Sequence, residues 1–85
     1  MVQIVFYFQI TTNGTGASFV AVGGLPFTNN GTLASIAIGR RDGVDGKLMQ
    51  GKISIGAATC NIWLYDNAYP GTDGAQFPMV ATYYV

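Results

Sequence analysis

Alternation of apolar and polar residues with a period of two is the feature that most constrains the fold of this chain. In the first segment the residues of one parity are all apolar, and those of the other parity are half apolar: Val2, Ile4, Phe6, Phe8 and Ile10 alternate with Gln3, Val5, Tyr7, Gln9 and Thr11. Such a strand requires cover on both faces. Apolar residues nowhere recur at the i, i+3, i+4 and i+7 positions of an amphipathic helix over a useful length. An all-β fold is therefore predicted.

Glycine-rich turns divide the chain into six predicted strands. The first strand spans about eleven residues, and Asn13 and Gly14 predict a tight hairpin that joins it to the second. The later strands are predicted at 17–22, 33–40, 47–56, 59–65 and 77–85, with an irregular loop at 66–75. Ala34, Ile36 and Ile38 are predicted to share one face, as are Met49, Ile53 and Ile55. The pattern predicts a small antiparallel β-sandwich, jelly-roll-like domain or partly closed barrel.

The length and composition predict one domain, residues 1–85, that associates with other copies of itself. A chain of 85 residues is too short to close two cores. Only 9% of its residues are charged, against roughly 25% in ordinary soluble domains, while 49% are hydrophobic. Four basic and four acidic side chains are few to solvate a whole domain. We therefore expect other chains to cover part of the surface.

Composition also excludes several functions. With zero net charge and only 4 basic residues, the chain lacks the positive surface that nucleic-acid binding requires. It contains no His and no Glu, which removes imidazole bases and the usual zinc ligands. Cys60 has no disulfide partner and shares its parity with Ile62 and Leu64, so a buried, unreactive thiol is predicted. We expect no cofactor, no metal, no membrane insertion and no secretion signal.

Two segments carry a resemblance to a known family. Residues 8–16, with the sequence FQITTNGTG, and residues 24–28, with the sequence GLPFT, resemble the C-terminal domains of tailed-bacteriophage tail fibres and tailspikes. The resemblance implies a trimeric β-structured module at the tip of the virion fibre, made in the host cytoplasm. Such modules are expected to fasten three chains together, contact host-surface polysaccharide, or do both.

The resemblance also concerns the extent of the chain. Members of this family commonly have an upstream strand with the pattern Gly-x-Tyr-x-Lys-x-Gly-x-x-Val, and this sequence starts just after it. The chain is therefore expected to be the C-terminal piece of a longer fibre protein. An alternative function follows, in which a fragment from an internal translation start assists assembly of the full-length fibre and binds no host molecule.

The predicted fifth strand supplies a candidate carbohydrate site. Asn61, Trp63 and Tyr65 share one face of it, and polar and aromatic residues follow in the loop: Asp66, Asn67 and Tyr69. Aromatic rings stack on sugar rings, while amides and carboxylates bond sugar hydroxyls. The alternative is that these aromatic residues pack against a second sheet or a neighbouring subunit.

A second candidate is the charged turn at 40–47. Arg40 and Arg41 could bind acidic sugars, or the turn could be a solvated tip or an intersubunit ion-pair cluster. Neither Asp42 with Asp45 nor Asp66 with Asp73 has the spacing of a calcium loop. Asp66 and Asp73 would also be the acid and base of a polysaccharide-degrading enzyme, but both lie on one loop, so we expect no enzyme.

Overall fold

The computed structural model describes residues 2–12, 14 and 18–84. Within these residues the chain forms strands and no helix, so none that could cross a membrane. The strands are β1 (Val2–Phe6), β2 (Val20–Val22), β3 (Ser35–Arg40), β4 (Leu48–Ile53), β5 (Cys60–Leu64) and β6 (Met79–Tyr83). The predicted all-β class is confirmed.

The described strands form one curled antiparallel sheet with the order β1-β6-β3-β4-β5-β2. The predicted hairpin between the first two strands is wrong, because β1 and β2 lie at opposite edges of the sheet. β1 pairs with β6 over five residue pairs, and β2 pairs with β5 over three. Gly14 does adopt the left-handed conformation expected of a turn, with φ of 68°. Asn13 and residues 15–17 lie outside the described residues.

The sheet has an inner face that forms the core. Its buried side chains are at most 5% exposed and come from the four central strands: Ala37, Met49, Ile53, Cys60, Ile62, Leu64, Met79, Ala81 and Tyr83. Apolar side chains outside the strands pack against this set, among them Phe8, Ile10, Leu25 and Phe77. The Phe8 and Phe77 rings stack with centroids 4.5 Å apart. The layer opposite the sheet is therefore built largely from connecting segments.

Small residues occupy the inner face of β3. Ser35, Ala37 and Gly39 point into the core, while Ile36 and Ile38 lie on the outer face and are 60% and 59% exposed. The predicted grouping of the two isoleucines is confirmed, but it is the exposed face that they share. Alternation identifies residues with a common face without identifying the face that is buried.

β4 ends earlier than its sequence pattern predicts. Ile55, expected on the same face as Met49 and Ile53, lies in a turn after the strand and is 58% exposed. The strand ends here because Gly56 adopts a φ of 77° and donates its N–H to the Asn29 carbonyl at 2.8 Å. This contact turns the backbone away from the sheet.

Candidate interaction surface on the outer face of the sheet

A row of side chains crosses the outer face of the sheet from one edge to the other. Val5 pairs with Val80, Val80 pairs with Ile38, and Ile38 pairs with Gln50. Gln50 in turn pairs with Trp63, whose ring lies 5.4 Å from that of Phe19, just before β2. All six strands or their immediate flanks thus contribute to one surface that is mostly apolar.

The apolar side chains around this row are unusually exposed. We define the outer apolar patch as Val5 (79% exposed), Tyr7 (60%), Ile36 (60%), Ile38 (59%), Leu48 (61%), Tyr65 (61%) and Val80 (38%). Two shallow depressions of about 260 and 280 Å³ lie within it, and Ile38 lines both. Contiguous exposed apolar surface of this kind marks sites of association.

The predicted aromatic site lies on this outer face. Asn61, Trp63 and Tyr65 share the face, as their parity predicts, and the interior of β5 is filled by Cys60, Ile62 and Leu64. Tyr65 is exposed and lines a depression of the patch. Trp63 is half-buried beside Phe19, at the β2 edge.

The loop after β5 adds an amide that bonds Gln50, the cross-strand partner of Trp63. Asn67 has a φ of 67°, and its Oδ1 accepts a hydrogen bond from Gln50 Nε2 at 2.9 Å. Gln50 Nε2 also donates to the Leu64 carbonyl at 3.2 Å. Asp66 accepts from the Ala68 N–H within an exposed turn, and Tyr69 is half-buried. Gln50 was missed by sequence analysis, because only the β4–β5 register places it next to Trp63.

The charged turn is held together by its own ion pairs. Arg41 is only 9% exposed, and its guanidinium donates to both oxygens of Asp45 and to the Pro70 carbonyl at 3.3 Å. Arg40 Nε lies 3.2 Å from Asp42 Oδ1 at the surface. Arg41 therefore attaches the turn to loop 66–75, and Arg40 is the accessible member of the predicted pair.

These contacts change the acidity of Asp45. The hydrogen bond from Arg41 lowers the pKa of Asp45 to about 2, with smaller lowering contributions from the Lys47 N–H and from the charges of both basic residues. Lys47 Nζ lies 3.9 Å from Asp45 Oδ2. The carboxylate is therefore charged throughout the neutral and mildly acidic range.

The groups that could support metal or thiol chemistry are dispersed or buried. In residues 2–12, 14 and 18–84, no three His, Cys, Asp or Glu side chains form a group that could hold a metal ion. Cys60 is fully buried, as its parity predicts, and burial raises the pKa of its thiol to about 11. A thiol with that pKa remains protonated and unreactive at neutral pH.

Comparison with known proteins identified no relative: no family model, no curated protein and no solved structure matches this chain.

Proposed function

We propose that the protein is a non-catalytic structural and receptor-binding module of a phage tail fibre or tailspike, which forms a homotrimer through the outer apolar patch and contacts host-surface glycans. The observation that carries this proposal is the patch itself. Seven large apolar side chains, each more than a third exposed, share one face of an 85-residue domain. An isolated domain would leave all of this surface in water.

The size of the patch suits a protein partner. At about 100 Å² for each side chain, the patch offers on the order of 700 Å², close to the roughly 800 Å² per partner of a standard interface. The charged side chains on this face are Lys52 and Arg40, and the Arg40 charge is already paired with Asp42. A second copy of a surface with so few charges meets little charge repulsion, so self-association is favoured over a charged partner.

Trimeric state and virion location are inferred from the resemblance of residues 8–16 and 24–28 to phage fibre domains. In such a trimer Tyr65 would be buried between chains, because it lies within the patch. The Trp63 ring lies beside Phe19 at the β2 edge instead, and Trp63 pairs across the strands with Gln50, which bonds Asn67. This margin is the part of the predicted carbohydrate site that stays open to a sugar in the trimer.

The solution mass of matched variants tests the association. Light scattering should give about three times the 9.0 kDa chain mass for the wild type. Ile38→Lys places a charge between the two depressions and should reduce the mass to that of one chain. Ile55→Lys is the matched control, since Ile55 is exposed to the same extent, 58% against 59%, but lies in a turn outside the patch. It should leave the trimer intact.

A monomeric wild type, or equal effects of the two substitutions, would contradict the proposed interface. Cell-binding assays with Trp63→Ala then separate recognition from packing. Lost binding by an intact trimer supports a glycan contact at the β2 edge, whereas a dissociated trimer assigns Trp63 to the interface. Intact binding would move recognition elsewhere on the module.

A further inference from the structure

A cleft at the opposite end of the sheet from the charged turn is formed where the chain enters β3 and leaves β6. It has a volume of about 420 Å³ and is lined by Asn30, Gly31, Thr32, Leu33 and Tyr84. We call it the Tyr84 cleft. None of its lining residues belongs to the outer apolar patch. Association through the patch would therefore leave the cleft accessible to a ligand.

The loop that forms the cleft is fixed by a buried asparagine beneath it. Asn29 is fully buried and donates its side-chain amide to the Ile53 carbonyl at 3.0 Å and to the Leu33 carbonyl at 3.4 Å. Its Oδ1 accepts the Gly31 N–H at 3.1 Å, and its backbone bonds Gly56 and Ala57. Every polar group of Asn29 is thereby used to hold the loop, so the cleft is preorganised and a ligand would not have to order it.

The aromatic wall of the cleft depends on a glycine. A Cβ added at Gly31 would lie 3.0 Å from Tyr84 Cδ2, and the Asn30 N–H donates to the Tyr84 carbonyl at 2.9 Å. Close approach of the loop therefore holds Tyr84 in place while its side chain stays 52% exposed. The rigid aromatic surface is open to solvent.

The chemistry of the lining defines the ligand. The Asn30 amide and the Thr32 and Tyr84 hydroxyls make no hydrogen bond to the part of the chain that the structure describes, so their donors and acceptors are available. Among the described residues, no charged side chain lines the cleft, so the described lining offers an anion or a cation no charged partner. A ring with apolar C–H faces and several hydroxyls matches an aromatic wall combined with neutral hydrogen-bonding groups.

We propose that the Tyr84 cleft binds a neutral saccharide unit, with the sugar ring on Tyr84 and its hydroxyls bonded by Asn30 and Thr32. This inference rests on the proposed glycan contact and assigns it a second location, separate from Trp63. It differs from the expectation for Arg40 and Arg41, which concerned acidic sugars.

Saturation-transfer NMR with methyl glycosides of glucose, galactose and N-acetylglucosamine tests the cleft. We expect at least one of these neutral sugars to bind the wild type and Tyr84→Ala to weaken that binding at least tenfold. Gly31→Ala, which displaces the ring, and Thr32→Val, which removes a hydroxyl, should each weaken it severalfold. Phe27→Ala is the matched control, because Phe27 is 51% exposed and lies outside the cleft. It should bind as the wild type does.

The outcomes separate this proposal from the trimer. Ile38→Lys should retain sugar binding even as a single chain, because the cleft lies outside the patch. The cleft proposal is overturned if none of the three sugars binds, or if Tyr84→Ala binds as the wild type does. Either result leaves the proposed trimer untouched, because the solution mass tests it separately. Preferential binding of sialic acid over the neutral sugars also overturns it, as does a response only to peptides.

Discussion

Gly51 lies at the centre of the sheet, paired with Ala37 on β3 and Ile62 on β5. A Cβ at this position would lie 2.7 Å from Cys60 Sγ and 2.9 Å from Ala37 Cβ, both in the core. Gly51→Ala should therefore lower the free energy of unfolding by about 1–3 kcal/mol, as overpacking of a close-packed core does. Chemical denaturation measures the change, and labelling of the buried Cys60 thiol reports the unfolded fraction independently.

Gly23→Ala is the control for that substitution. Among the described residues, its added Cβ would contact only Thr59 Oγ1, at 3.8 Å, which is an ordinary van der Waals distance. The change in stability should stay within about 0.5 kcal/mol or be slightly favourable. A loss in Gly51→Ala no larger than that in Gly23→Ala would contradict the overpacking expected at position 51.

Asp45 gives the protein a defined acid sensitivity. Its pKa in the folded state is about 2, below the ordinary value of 3.8, chiefly because Arg41 donates to it. A lowered carboxyl pKa stabilises the fold at pH values above the ordinary pKa, and this stabilisation is lost as the pH falls toward 2. Asp45→Asn should therefore lose less stability between pH 5 and pH 2 than the wild type does, measured by thermal unfolding across that range.

Asp66→Asn is the matched comparison for the acid experiment. The Asp66 carboxylate accepts a hydrogen bond from the Ala68 N–H in an exposed turn. This variant should lose stability on acidification much as the wild type does. An equal flattening of the pH dependence in both variants would mean that the Arg41–Asp45 pair is not its source.

At the scale of structural elements, loop 29–33 depends on Asn29 more than on the Asn-Gly pair that follows it. Asn29→Ala leaves the Ile53 carbonyl and the Gly31 N–H without their partner, and unsatisfied buried groups cost about 1–3 kcal/mol each. We expect a loss of about 2–4 kcal/mol in unfolding free energy, measured by urea denaturation. Asn30→Ala is the adjacent control: its exposed side chain should contribute less than about 0.5 kcal/mol. Similar losses would contradict this role for Asn29.

The elements themselves were largely predictable from sequence, but their partners were not. The period of two correctly predicts that Trp63 and Tyr65 face away from Cys60, Ile62 and Leu64. It cannot predict that the isoleucines of β3 face outward, because this depends on which side chains fit beside Met49 and Met79 in the core. Turn residues likewise indicate where the chain reverses, but they do not identify the strands that pair.

The candidate site was likewise predictable from sequence only in part. Parity placed Asn61, Trp63 and Tyr65 together, since one strand carries all three. The contact between Gln50 and Asn67 requires the β4–β5 register, and burial of Arg41 requires the docking of loop 66–75 on the charged turn. The Tyr84 cleft joins residues more than fifty positions apart in the chain, so no local pattern could indicate it.

At the scale of the whole molecule, the distribution of charge is as informative as its scarcity. Five of the charged side chains lie at residues 40–47, where they pair with one another: Arg40, Arg41, Asp42, Asp45 and Lys47. Few charged side chains therefore remain to solvate the outer face. The charges of the domain are therefore concentrated at one end of the sheet, away from most of the outer apolar patch.

The position of β6 has a consequence for how the domain matures. β6 lies between β1 and β3, although it is the last of the described strands in chain order. A nascent polypeptide that has emerged only as far as β5 lacks this bridge, and β1 has no neighbour to join. Pairing across nearly the full chain length is slow to form. The ribosome must therefore release almost the entire domain before all the described strands can pair, and the apolar strands stay exposed until then.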